Sequence, residues 1–318
     1  MLSAARVLGA PSRRTGFTLV EMLVVLVFLG IIGGAIVTLL WRQQRFYNSA
    51  TEVLNTRQQI RQAAFMLPSD LRGISRIGGD IYAMTDSSIE FRSVFGSSVT
   101  CSINGGKVST VPVRLATGSA MTNWKAAPVV NDSIALYDDM ASTAVKDDVW
   151  RLYRITGVVQ VTGNNNQGCP TVSGLAQAVD LVVGNPSYQI TMSTSAPATV
   201  SVGAAIRIFR RVHYSLYKSP ADAKWYLAYF DCVPNRAPVC ATPQPIAGPL
   251  RPYAASAVSG LQFTYYDSTG VVTADKALVA RISVVARAQG EALINLTGTG
   301  AIPLRDSLRL EVALRNRN

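Results

Sequence analysis

Histidine is nearly missing from this sequence: His213 is the single one among 318 residues. Ser-His-Asp hydrolysis and histidine-ligated metalloprotease chemistry both need that ring placed beside particular partners. Flanked by Val212 and Tyr214 in a strand-like run, His213 reads instead as a structural residue. No Cys-x-x-Cys pair occurs, which argues against zinc and leaves no metal ligand set to name. Gly105-Gly106-Lys107 lacks the upstream glycine and the adjoining Ser or Thr that a phosphate loop requires. No catalytic constellation remains, so the reading is of a protein that is not an enzyme and uses no cofactor. Charge is also sparse, at 15% Asp, Glu, Lys and Arg against 48% hydrophobic residues. That composition excludes a chain kept disordered by its polarity. The formal charge of +11 comes without a dense basic block beyond pairs such as Arg210–Arg211. A basic surface can meet nucleic acid, anionic lipid or acidic polymers. Scattered as it is, it reads first as solvated surface, and nucleic acid stands as a possible but unsupported partner.

At ~100–200 residues per domain, the length allows one large or two modest domains and a sizeable core. Four cysteines are present, Cys101, Cys169, Cys232 and Cys240. An even count suits disulfides in an exported domain. Three pairings are open; local economy favours Cys232–Cys240, with Cys101 and Cys169 pairing over a longer span, each bridge contributing ~2–4 kcal/mol.

The N-terminus carries the strongest pattern. A basic segment containing Arg6, Arg13 and Arg14 leads to Gly16, and an apolar run then extends from Phe17 to Trp41, closed by Arg42-Gln43-Gln44-Arg45. Loss of residues 1–16, which hold those three arginines and no acid, would lower the formal charge to +8. At ~1.5 Å per residue the run makes a helix ~37 Å long, enough for a ~30 Å hydrocarbon layer. A secretory signal has a shorter apolar stretch with a small-residue cleavage site behind it, and no such site follows here. Cleavage at Gly16 would instead remove the leader and keep the helix. Glu21 lies one turn into the span, where a carboxylate costs up to ~2.5–3.5 kcal/mol. The span contains no Lys or Arg, so Glu21 is expected to find its partner in another chain or in a new α-amino group at Phe17. The alternative is a glutamate snorkelling at the membrane edge. Gly30 and Gly34 form a small-xxx-small pair that permits close helix approach, although glycine is common in membrane helices generally.

Beyond Arg45, Phe46, Ala50, Val53, Ile60, Ala64 and Leu67 recur at mostly helical spacing. One helix is expected from about Phe17 to Leu67, amphipathic in its second half, with Pro68-Ser69-Asp70 breaking it. The remainder reads as strands: 88–94, 133–137, 149–155, 205–217, 224–230, 261–266, 278–286 and 308–314. Ser219-Pro220-Ala221-Asp222 marks a hairpin, and the aromatics around it read as sheet core. Residues 163–168 and 234–252 read as polar and proline-rich irregular segments, where partner specificity usually sits.

Gly16-Phe17-Thr18-Leu19 with Glu21, after a basic leader and before a long apolar helix, resembles the type IV prepilin family. The resemblance implies an α+β, pilin-like fold: one long N-terminal helix, transmembrane and then amphipathic, on a mostly antiparallel sheet. It implies cleavage between Gly16 and Phe17 by prepilin peptidase, N-methylation of Phe17, and docking of Glu21 in the growing filament. The segments would be a leader at 1–16, a transmembrane and filament-core helix at 17–41, its amphipathic continuation at 42–67 and a periplasmic β-rich domain at 68–318. Partners would be other pilin or pseudopilin subunits, the peptidase and an inner-membrane assembly platform. Val258–Asp267, Ala280–Val284 and the closing basic strand are similar to large minor pilins of the PilW-like kind and to J-type minor pseudopilins. A minor pilin of a type IV pilus is therefore the first reading, a type II secretion pseudopilin the second, and a monomeric membrane-anchored binding module the alternative of another class. Asp138–Asp139 and Asp147–Asp148 could join a calcium site, as in some pseudopilins, but read first as acids in solvated turns.

Overall fold

The computed structural model describes residues 16, 18–75, 79–140, 148–162, 168–232, 240, 242–255, 258–294 and 302–314. One helix, α1 (Leu19–Leu71), precedes a β region whose strands are β1 (Ile81–Met84), β2 (Ser88–Asn104), β3 (Lys107–Thr110), β4 (Asn123–Trp124), β5 (Ser133–Asp138), β6 (Val149–Val161), β7 (Ser187–Met192), β8 (Ala205–Lys218), β9 (Trp225–Cys232), β10 (Gln244–Leu250), β11 (Leu261–Tyr266), β12 (Arg281–Ile294) and β13 (Ile302–Ala313). The architecture is α+β and pilin-like, a long N-terminal helix with a large antiparallel sheet.

The strand order runs β1-β2-β3-β7-β6-β5-β8-β9-β10-β12-β11, with β13 on the other side of β12. Because β2 also pairs β8 over Ser88–Val99, the ladders β2-β3-β7-β6-β5-β8 close into a six-stranded circuit. Its inward residues, among them Ile134, Leu136, Ile155, Ile190, Ile206 and Ile208, form one buried cluster. Alternation along β8 continues the same face into a second cluster: Val212 and Tyr214 join Phe91, Leu227, Ile282 and Val284 beneath α1. The helix contributes Ile60, Ala63, Leu67 and Leu71 to this core. It lies on β10, β12, β13 and β2.

Several expectations are corrected. Pro68 does not end the helix, which continues to Leu71. Proline costs the helix one N–H, yet the Pro68 carbonyl still accepts from the Arg72 N–H at 3.0 Å. Leu67 and Leu71, both fully buried, hold the last turn by packing. Phe46, expected on the packed stripe, is exposed; the packed face begins near Thr56 and repeats at helical spacing through Ile60, Ala63, Leu67 and Leu71. The proline-rich segment contains β10, which pairs β9 with register shifts on both sides of Ala247. Pro245 and Pro249 donate nothing to a ladder, so the strand pairs in short pieces. Gly105-Gly106 is the two-residue turn of the β2–β3 hairpin, with Asn104 opposite Lys107 and Gly105 at φ +58°. The turn at Ser219–Asp222 joins β8 to β9, whose ladder opens with Lys218 opposite Trp225.

Candidate functional site: the N-terminal helix and its anchorage

From Leu19 to Trp41, seventeen large apolar side chains lie exposed. At ~1.5–3 kcal/mol each for full burial, leaving them in water would forgo several tens of kcal/mol. The sheet offers this stretch no partner among the described residues, so lipid or other helices must cover it. Gly30 and Gly34 have open space where a Cβ would stand, and so does Gly16. Nothing among the described residues therefore requires glycine at any of the three.

Thr18 caps the helix. Its Oγ1 accepts from the Glu21 N–H at 3.2 Å, and its own N–H donates to Glu21 Oε2 at 3.4 Å. This capping box satisfies two otherwise orphaned donors and places a negative charge at the positive end of the helix. Glu21 thus has a hydrogen-bonding partner in its own first turn, in addition to the counter-ion expected for it. The signal was present in the spacing Thr18-x-x-Glu21. Phe17 and residues 1–15 lie outside the described residues.

At its other end α1 is fastened through Asp70. The Tyr214 hydroxyl donates to Asp70 Oδ2 at 2.8 Å, and Lys125 Nζ lies 2.7 Å from Oδ1. Burial first, and then the negative charge of Asp70, push the Tyr214 pKa far up, keeping the hydroxyl a donor. Arg57 meets Asp306 of β13 at 3.4 Å.

The cysteines are joined as Cys101–Cys169 and Cys232–Cys240, with Cα separations of 5.3 and 3.9 Å. Cys101 and Cys169 lie in a third buried cluster with Val111, Ala176 and Leu181. Among the described residues, the one group with three ligand-type side chains close together is Glu90, Cys232 and Cys240. Both sulfurs there are already bonded to each other. Asp138, expected in a solvated turn, is buried and faces Arg151, with Thr199 Oγ1 and the Met140 N–H each at 3.0 Å. Burial would raise its pKa, but those hydrogen bonds and the Arg151 charge outweigh it and hold the carboxyl low. A carboxylate neutralised in this way has little left for a calcium ion. Asp148 accepts from the Tyr137 hydroxyl, and Asp147 lies outside the described residues.

Sequence reasoning did not single out a cavity of about 260 Å³ between the segment just after α1, at Gly73 and Ser75, and the sheet residues Val94, Ala135, Trp150 and Phe209. Arg92 at its edge is held by Asp80 Oδ1 and the Tyr82 hydroxyl, each at 3.0 Å, and Arg207 stacks 4.3 Å over Trp150.

Residues 11–37 match the prokaryotic N-terminal methylation motif. The chain is type IV prepilin-like. This prepilin-like chain has no match among curated proteins and none among solved structures. The matched segment runs from the basic residues Arg13 and Arg14 across Gly16, Phe17 and Glu21 into the exposed half of α1. It marks a pilin or pseudopilin type of protein, a structural class, whose apolar helix fits anchoring in the inner membrane.

Proposed function

We propose that this chain is a minor pilin, cleaved between Gly16 and Phe17 by prepilin peptidase, methylated at Phe17, and incorporated through α1 into a type IV pilus that it primes or tips. Residues 17–41 would form the filament-core segment, residues 42–67 its amphipathic continuation, carried by the chain's own sheet from about Thr56, and residues 68–318 a periplasmic domain. The observation that carries this reading is a fully exposed apolar half-helix with a carboxylate in its first turn. A simple membrane tether accounts for the apolar surface but gives Glu21 no task beyond capping, and leaves Gly16 without a purpose, since nothing among the described residues crowds it. In an assembly, the close approach of neighbouring helices at Gly30 and Gly34 would replace burial in lipid. Glu21 would exchange its hydrogen bond to Thr18 for the freed amine of an adjacent subunit.

Mass spectrometry of the mature N-terminus in the native host is the direct test. A chain starting at methyl-Phe17 supports the proposal, and an intact Met1 supports the tether. Gly16→Leu should abolish processing without altering the stability of the folded domain. Glu21→Ala should leave cleavage nearly intact while the amount of subunit recovered in sheared filaments falls several-fold. Normal incorporation of that variant would remove the pairing argument.

A further inference from the structure

We infer that Arg42 and Arg45, together with Trp41, form a docking site for the phosphate of an anionic lipid at the C-terminal end of the membrane span; this rests on the reading that the apolar half of α1 crosses a bilayer. Thr38, Trp41, Arg42 and Arg45 stand at i, i+3, i+4 and i+7, so one helix face carries all four. They line a depression of about 180 Å³. The Thr38 hydroxyl is spent on the Ala35 carbonyl at 2.8 Å. Neither arginine has a hydrogen bond or ion pair among the described residues, whereas Arg57, farther along the same helix, is paired with Asp306. Trp41 is 64% exposed, an indole at the place where aromatic residues anchor helices to the interface.

The distances agree. Leu19–Trp41 measures ~34 Å at ~1.5 Å per residue, matching the ~30 Å hydrocarbon layer with a slight tilt. Arg42 to Arg45 then fall within the headgroup layer, which adds ~5–7 Å per side. Between Phe17 and Thr56 the sequence has no other Lys or Arg, so once the leader is gone these two are the basic anchors flanking the span. Two guanidinium groups three residues apart match the paired oxygens of a phosphodiester, which arginine binds in fork geometry. A nucleic acid would need a longer track of cations than this pair supplies.

The test uses the full chain in nanodiscs containing equal amounts of phosphatidylcholine and phosphatidylglycerol. Lipids retained after detergent extraction are read by native mass spectrometry. The wild type should enrich phosphatidylglycerol by roughly 5-fold per arginine and up to ~30-fold for the pair. Arg42→Gln/Arg45→Gln should bring the ratio to near one. Arg61→Gln/Arg72→Gln, equal in net charge but distant from the span, should leave it unchanged. Equal enrichment in all three proteins, or none in the wild type, overturns the inference. Displacement of the lipid by excess glycerol 3-phosphate overturns the lipid assignment in favour of a soluble phosphate. A wild-type chain that does not insert at all, seen as failure to enter the nanodisc, overturns the membrane-span reading as well, and so separates the two failures.

Discussion

The two halves of α1 share one helix axis and solve the burial problem in opposite ways. From Thr56 to Leu71 the helix hands a stripe of small and aliphatic side chains to its own sheet, and Leu67 and Leu71 lose all exposure. From Leu19 to Trp41 it is apolar on every side, and no part of that stretch is buried. A helix that is hydrophobic all round belongs inside something, and among the described residues that something is absent. The difference separates what the sequence stabilises by itself from what it offers to a membrane or to other subunits. The capped N-terminus fits the same division. Thr18 and Glu21 satisfy each other locally, so the helix start is complete before any partner arrives.

Substitution should expose the boundary most clearly. In the detergent-solubilised full chain, Leu67→Ala removes a fully buried side chain and should destabilise the domain by about 2–5 kcal/mol, measured by denaturant unfolding followed at near-UV wavelengths. Leu29→Ala, in the exposed half, should leave the same transition where it was. Comparable losses from both would mean that the apolar half packs on the domain after all. The disulfides sharpen the comparison inside the β region. The bridge Cys101–Cys169 closes a span of 68 residues and Cys232–Cys240 one of 8. Loop-closure entropy then assigns about 4 kcal/mol to the first and about 2.5 kcal/mol to the second. Paired Cys→Ser variants should follow that order in unfolding midpoint, and the reverse order would show that the unfolded-state account fails here.

Much of this division was legible in the sequence, because it rests on local patterns. An unbroken apolar run, an odd carboxylate and period-2 alternation from Ser307 to Leu314 each announce themselves within a few residues. The β11 span of Leu261–Tyr266 was read to its limits for the same reason. What escaped depends on distant pairing. β3 and β7 are short, and β3 gains its strand character from partners on both sides, β2 and β7. The six-stranded circuit needs β2 to contact both β3 and β8, a closure that no stretch of sequence displays. β10 hid behind its prolines. Asp138 was misjudged because its ion partner, Arg151, lies on the next strand, and acid pairs in sequence look alike whether solvated or buried.

The smallest expected effect lies at His213, and it tests whether the β region governs its own titration. The ring sits on β8 opposite Glu90, with Nδ1 3.7 Å from Glu90 Oε2, and meets Phe230 edge-on at 5.2 Å. Burial lowers its pKa, the Glu90 carboxylate pulls it back up, and Arg211 lowers it again, for a net decrease below the ordinary 6.5. The folded protein thus holds the ring neutral where the unfolded chain would take up a proton. Between the folded pKa and 6.5 the unfolded state binds more protons, so stability falls as pH falls, by no more than ~1.4 kcal/mol per pH unit for one site. Glu90, Arg211 and every other titrating group remain in His213→Gln. The difference between wild type and variant therefore isolates this one proton. Melting temperatures taken downward from pH 7.5 should separate by a few degrees as the wild type loses more stability than the variant, whereas Leu29→Ala in the apolar half should follow the wild type throughout. Parallel pH profiles for wild type and His213→Gln would mean that the Glu90 charge compensates the burial, and that the ring titrates in the folded domain much as it does in the open chain.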